Sequence, residues 1–176
     1  MNYLFLINGF EEIEAVETID ILRRADVNLT TVSVEDTLDV KGAHNIIVKA
    51  DILLSQSNFA DAQMLILPGG TVRLGEVEKL TKLLVEHNEK GGLIAAICAA
   101  PSILGKLGIL EGKAATCYPN FEQYLTGAQV VDKRVVKSEN IITGKGPGCT
   151  KQFALELVLT ICGQEKTNEV AEALIA

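Results

Sequence analysis

The chain has 176 residues, 48% of them apolar and 22% charged, which is enough for one domain with a full core and too apolar for disorder. Its formal charge of −7 argues against nonspecific nucleic-acid binding, where phosphate neutralisation dominates affinity, and gives no support for docking on anionic membranes. No stretch approaches the roughly 18–20 apolar residues of a membrane span, so neither nucleic acid nor membrane is an expected partner.

Residues 3–7 are a short apolar run suited to a strand buried on both faces. With no basic region and no cleavage site it reads as a first strand rather than a signal peptide, and the expected location is the cytoplasm. Residues 11–24 predict a helix that places Ala15, Val16, Ile19 and Leu22 on one side. Residues 29–34 alternate as a second strand, and 40–48 predict a short turn and strand on one edge. Residues 64–67 form another apolar run, stopped by Pro68, Gly69 and Gly70. Leu80, Leu83 and Leu84 mark a helix over 77–90, and 93–97 read as a continuous buried strand. Pro101 fits only the first turn of a helix, so the next helix starts just after Cys98. Farther on, 114–116, 135–137 and 141–143 read as strands and 144–148 as a loop. Phe153, Leu157, Val158 and Ile161, then Val170, Ala171 and Leu174, mark two last helices. Strands alternating with helices predict a single α/β domain over 1–176, a three-layer sandwich with a mostly parallel, flavodoxin-like sheet between helices. Such sheets take ligands beyond the carboxyl ends of their strands, where loops 8–14, 68–71 and 97–101 meet.

The four cysteines form no C-x-x-C pair and the only histidines are His44 and His87, so free thiols are expected and a metal centre is not. Cys98 holds the most informative position. A thiol at a helix start faces unpaired N–H groups and the positive end of the helix dipole, both of which favour the nucleophilic thiolate. Small neighbours at Ala96, Ala99 and Ala100 allow a sharp turn like the nucleophile elbow of hydrolases. The competing reading is a buried cysteine packing as a small hydrophobe. Glu11, Glu12 and Glu14 follow the first strand, where acidic residues favour any helix start. Glu14 also shares a side with Thr18 and Ile21, away from the main apolar stripe. Ile21 there implies a second buried contact, in the core or with another subunit. A carboxyl on that side would be desolvated, its pKa raised, and able to donate to a thiolate or act as general acid. Gly69 and Gly70 either form an ordinary turn or offer N–H groups to an oxyanion. The segment 144–148 lacks the order of a phosphate loop, and His87, on a polar helix, reads as solvated.

Four segments in order, Gly9-Phe10-Glu11-Glu12-Ile13-Glu14, Leu67-Pro68-Gly69-Gly70, Ala95-Ala96-Ile97-Cys98-Ala99-Ala100-Pro101 and Gly146-Pro147-Gly148, resemble the ThiJ/PfpI superfamily, in the branch of the parkinsonism-associated deglycase. The resemblance runs over nearly the whole chain. It implies that Cys98 is the reactive thiol, that Glu14 is its protonated partner, and that the N–H groups of Gly70 and Ala99 form an anion pocket. It also implies a homodimer with the first helix at the interface, which would account for Ile21, and with Arg24 reaching toward the partner's site. The chain departs from the family at Tyr118, where many members carry a histidine. Tyrosine titrates near 10 and histidine near 6.5, so Tyr118 is a poor base at neutral pH and better suited to bonding a substrate oxygen or packing.

The leading expectation is therefore an enzyme without metal or organic cofactor that acts on small aldehydes or dicarbonyls such as methylglyoxal, in a glyoxalase or deglycase reaction. A redox-responsive stress protein sensing oxidation through Cys98 is the alternative. An amidase or peptidase is weakened by the missing histidine.

Overall fold

In the computed structural model, which describes all of residues 1–176, the short apolar runs become the middle of a sheet. In chain order the elements are β1 (Asn2–Leu6), α1 (Glu12–Arg24), β2 (Leu29–Ser33), β3 (Asp39–Lys41), β4 (Ile47–Lys49), β5 (Ile52–Leu53), β6 (Met64–Leu67) and α2 (Glu78–Glu89). There follow β7 (Leu93–Ile97), α3 (Pro101–Lys106), β8 (Ala114–Ala115), β9 (Gln129–Val130), β10 (Val135–Ser138), β11 (Ile141–Gly144), α4 (Thr150–Cys162) and α5 (Gln164–Ala173). Seven strands pair in the order β10-β11-β7-β6-β1-β2-β5, all parallel except β10 against β11.

Alternation along the strands divides the core. Leu4, Leu6, Ile66 and Ile97 face α1, α4 and α5, whereas Tyr3, Phe5, Leu65, Leu67 and Ala96 face α2 and α3. These are the three expected layers, and each fully buried Leu, Ile or Phe contributes about 1.5–3 kcal/mol. The strand order reverses between β1 and β6: β1 leads outward through α1 to β2, and β6 leads the other way through α2 to β7. The loops after β1 and β6 thus part toward opposite layers and open a crevice, the usual ligand position in such sheets. No helix is long and apolar enough to cross a membrane.

Several local expectations need correction. The predicted edge strand over 40–48 is instead a separate antiparallel hairpin, β3 with β4, while the two-residue β5 forms the edge of the main sheet. The hairpin packs on the loop after β1, with Gly9 N–H bonded to the Lys41 carbonyl and Ala43 N–H to that of Phe10. Val16, placed on the apolar stripe of α1, is 44% exposed, as is Ile13 at 52%. Ile21, read as a second buried contact either in the core or with another subunit, is buried in the chain's own core because α1 packs along α4. His87 is not solvated. It is buried, its Nε2 lies 3.1 Å from the Leu93 carbonyl, and desolvation lowers its pKa. Gly92 leaves the room for that ring, since a β-carbon there would stand 2.2 Å from His87 Cε1.

Candidate active site

The loops after β1, β6 and β7 come from three adjacent strands, and their chemistry converges on Cys98. This residue follows β7 directly and has a φ of +67°, a left-handed conformation that costs a residue with a side chain roughly 1–2 kcal/mol. The sheet holds it there. Its N–H donates to the Gly144 carbonyl at 2.9 Å, continuing the β7–β11 ladder, and its carbonyl accepts from Tyr118 N–H at 2.8 Å. Just beyond, Ser102 Oγ donates to the Ala99 carbonyl at 2.6 Å, and Pro101 opens α3 as its position required.

Glu14 lies in the first turn of α1 and is fully buried. Glu11 caps that turn, its Oε2 accepting from Glu14 N–H at 2.8 Å. Gly69 N–H donates to Glu14 Oε2 at 2.7 Å, while Oε1 is buried with no donor from the chain aligned on it. A β-carbon on Gly69 would stand 2.6 Å from both Glu14 Oε2 and Cys98 Cβ, and 3.1 Å from Cys98 Sγ. Only glycine lets the carboxyl and the thiol meet over this backbone. Gly70 has a φ of +88°, and a β-carbon there would press within 2.4 Å of Glu11 N and 2.5 Å of the Gly9 carbonyl. The Gly69 carbonyl in turn accepts from Glu11 N–H at 3.0 Å, so the β1 and β6 loops are locked together.

The electrostatics follow from this burial. Desolvation pushes the Glu14 carboxyl up to about 7, against the pull of its bonds from Cys98 and Gly69 N–H. Desolvation, then the charge of Glu14 and its hydrogen bond, push the Cys98 thiol up to about 12. The N–H groups of Ala99 and Gly70 face the sulfur and pull its pKa down, as the helix-start argument expected, without prevailing. Burial and the neighbouring Glu14 charge work against the expected resting thiolate, and the two N–H donors work for it. Helix α3 is only six residues long, and two neighbouring groups in a dry site resist being charged together. Between the two titrations, Glu14 and Cys98 together hold one proton.

With this geometry in place, comparison with known proteins is informative. The DJ-1/PfpI family profile matches residues 2–160. The chain belongs to the DJ-1/PfpI family. Protein dj-1beta of Drosophila melanogaster is 37% identical over 98% of this chain and 95% of its own length, and its crystal structure superposes with a TM-score of 0.95 over 99% of this chain and 97% of that one. The glutathione-independent glyoxalase DJR-1.2 of Caenorhabditis elegans is 35% identical over 93% of this chain and 89% of its own. The structure of oxidized Toxoplasma gondii DJ-1 is 35% identical, with a TM-score of 0.95 over 99% of this chain and 97% of that one.

In this DJ-1/PfpI chain the structure brings Cys98, Glu14, Gly70 and Ala99 together and leaves the Tyr118 side chain apart. Tyr118 is tied to Cys98 only through its backbone N–H, and its side chain is 45% exposed on the wall of a neighbouring cavity. Arg24 is exposed and pairs with Asp20 at 2.7 Å on its own helix. The sequence reading missed the partnership of Glu12 with His44. Buried Glu12 accepts from His44 N–H at 2.6 Å and lies 2.9 Å from His44 Nδ1, across 32 residues that carry no local signal. Ligand atoms of Glu11, Glu12 and His44 fall within 4.8 Å of one another, but the cap on α1 and the bond to His44 already engage these carboxylates. All four cysteines are free.

Proposed function

We propose that this protein is a cysteine enzyme, independent of organic or metal cofactors, that converts small reactive dicarbonyls such as methylglyoxal to hydroxy acids. One observation carries the reading: a fully buried carboxyl, pushed up by desolvation, shares a site with the thiol of Cys98, over Gly69, with two N–H groups aimed at the sulfur. A relative named as a glutathione-independent glyoxalase supports it.

As Sγ bonds to the aldehyde carbon, its proton passes to ionised Glu14, and the carbonyl electron pair moves to oxygen, faced by the Gly70 and Ala99 N–H groups. Glu14 returns its proton to that oxygen. As carboxylate again, it removes the proton from the former aldehyde carbon, and delivers it to the neighbouring ketone carbon through an enediol. One carbon is oxidised as its neighbour is reduced, so no outside redox partner is needed. The product is a thioester on Cys98, and water cleaves it to the hydroxy acid and the thiol. The proposal includes a homodimer through the outward face of α1, now carried by Ile13 and Val16 rather than Ile21.

The test is incubation with methylglyoxal and no glutathione, measuring lactate. Repeated turnover that is lost in Cys98→Ser and Glu14→Gln is expected, and stoichiometric consumption without lactate overturns the reading. A second reading rests on the same two N–H donors, which favour any anion at the sulfur. In it, two peroxide molecules oxidise Cys98 to a sulfinate held by protonated Glu14, each being reduced to water, and the output is stress protection. An amidase lacks its base: His44 is held by Glu12 and His87 by the Leu93 carbonyl.

A further inference from the structure

Both peptide groups of Cys98 are bonded to segments that wall one cavity. Its carbonyl is held by Tyr118 N–H, and its N–H by Gly144, directly before Lys145. Tyr118, Arg134, Lys145, Gly146, Pro147 and Cys149 line a cavity of about 300 Å³ that the dicarbonyl mechanism leaves unused. Two of these lining side chains are cations and none is an acid. Lys145 is bound by exposed Asp132 at the rim, whereas no carboxylate lies within ion-pair distance of Arg134. The Arg134 backbone is nonetheless fixed, its carbonyl accepting from Lys145 N–H at 2.8 Å and from Cys149 Sγ at 3.2 Å. In a chain of net charge −7, an unpaired guanidinium beside a second cation, on the wall of a recess whose segments bond the Cys98 peptide groups, is a local reversal of sign. Arginine's planar fork matches carboxylate and phosphate oxygens in pairs. Such a group entering the cavity would displace Lys145 from a solvent-exposed partner, a pairing worth little in itself.

We infer that this cavity is an oxyanion subsite, and that the enzyme's preferred substrates are α-oxoaldehydes carrying a carboxylate or phosphate, which Arg134 and Lys145 bind while the aldehyde carbon meets Cys98. The inference rests on the dicarbonyl reading and narrows its substrate class. Tyr118 lines the subsite with its half-exposed ring while its N–H holds the Cys98 carbonyl. This gives that position a use that does not depend on the basicity of a histidine.

Two measurements test it. The first compares kcat/KM for 4,5-dioxopentanoate, an α-oxoaldehyde with a terminal carboxylate, with that for its uncharged methyl ester. A preference of at least tenfold for the acid is expected in the wild type, falling toward one in Arg134→Gln and retained in part in Arg134→Lys. Lys90→Gln, outside the cavity, keeps the wild-type ratio. Equal kcat/KM for acid and ester, or a preference that survives Arg134→Gln, overturns the subsite. The second measurement needs no turnover and so separates this inference from the dicarbonyl reading. Inorganic phosphate and acetate are compared with chloride at equal ionic strength and pH for their effect on Tm. Either oxyanion is expected to raise Tm by a few degrees at tens of millimolar in the wild type and not in Arg134→Gln, because a ligand that binds only the folded state stabilises it. The larger rise identifies the group the site prefers. If neither dicarbonyl turns over but the Arg134-dependent shift appears, the subsite stands and the reaction is wrong. No shift with either oxyanion overturns the subsite.

Discussion

Glu12 and Glu14 stand two residues apart in one turn of α1, both buried, and their carboxyls move in opposite directions. Burial alone would raise Glu12, but the His44 side chain and the backbone N–H groups of His44, Glu12 and Ile46 converge on it and hold it below the usual carboxylate range. Glu14 has one backbone donor, Gly69, and beside it a thiol and the charge of Glu11, so desolvation prevails and carries it up to about 7. Depth and donors together separate the two: Glu14 is sealed from solvent with one backbone donor, whereas Glu12, nearer the surface, is met by several. Glu12 fastens the β3–β4 hairpin to the start of α1, and Glu14 is left under-satisfied next to Cys98.

The largest expected effect is on turnover. Glu14→Gln should lower kcat with methylglyoxal by about 10²–10⁴-fold, the usual worth of a positioned acid–base group, while Glu12→Gln should leave a measurable rate if the hairpin stays folded. Wild-type kcat/KM should rise with pH through about 7 as Glu14 loses its proton and becomes able to accept that of Cys98. A flat profile between pH 6 and 8 would remove the distinction between the two carboxylates.

Stability should also move in opposite directions. Between the ordinary carboxyl value of 4.5 and about 7 the folded protein holds a proton on Glu14 that the unfolded chain has released, so Glu14 lowers stability as pH rises through that window. The full cost above pH 7 is about 3 kcal/mol. Glu14→Gln should therefore gain on the wild type in urea unfolding between pH 5 and pH 8. Glu12, whose pKa is lowered, contributes stability that is complete above 4.5 and lost as pH falls through its folded value. Glu12→Gln should cost about 1–3 kcal/mol at pH 7, and the difference should shrink below pH 4. The smallest effect on the fold belongs to the other side of the same helix. Val16→Asp, on the exposed face, should change the chain's own stability by no more than about 0.5 kcal/mol, yet convert a dimer to the 18.9 kDa monomer in light scattering. A wild type that is already monomeric would refute that interface.

The sequence is most legible where one element decides the outcome. Continuous apolar runs in β1, β6 and β7, and Pro101 at the start of α3, locate the strands and the turn at Cys98 without any knowledge of partners. The two-residue strands β5 and β9 are too short to leave a periodic signal, whereas β8 falls within the predicted 114–116. The turn and strand read over 40–48 are present, but the sequence there does not tell which sheet receives them. Helix α1 shows the limit of a single-stripe reading. Its buried side extends through Glu14, Thr18 and Ile21, because both α4 and the Cys98 loop cover it, and Val16 is left outside. At the site, the identities of Cys98 and Glu14 and the direction of the helix-start donors are written locally. The thiol's raised pKa is not, since it comes from desolvation and from a carboxylate 84 residues earlier in the chain.

The central claim is that Glu14 is the base that takes the proton of Cys98, rather than a donor that steadies a standing thiolate. Ultraviolet absorbance of the thiolate against pH, with Cys98→Ser subtracted to isolate this sulfur, tests it directly in the wild type and in Glu14→Gln. The expected result is no Cys98 thiolate in the wild type at pH 7, a titration far above the ordinary thiol value, and a clear fall in that titration once the Glu14 charge is gone. A wild-type thiolate already formed at pH 7 and lost on Glu14→Gln would contradict it.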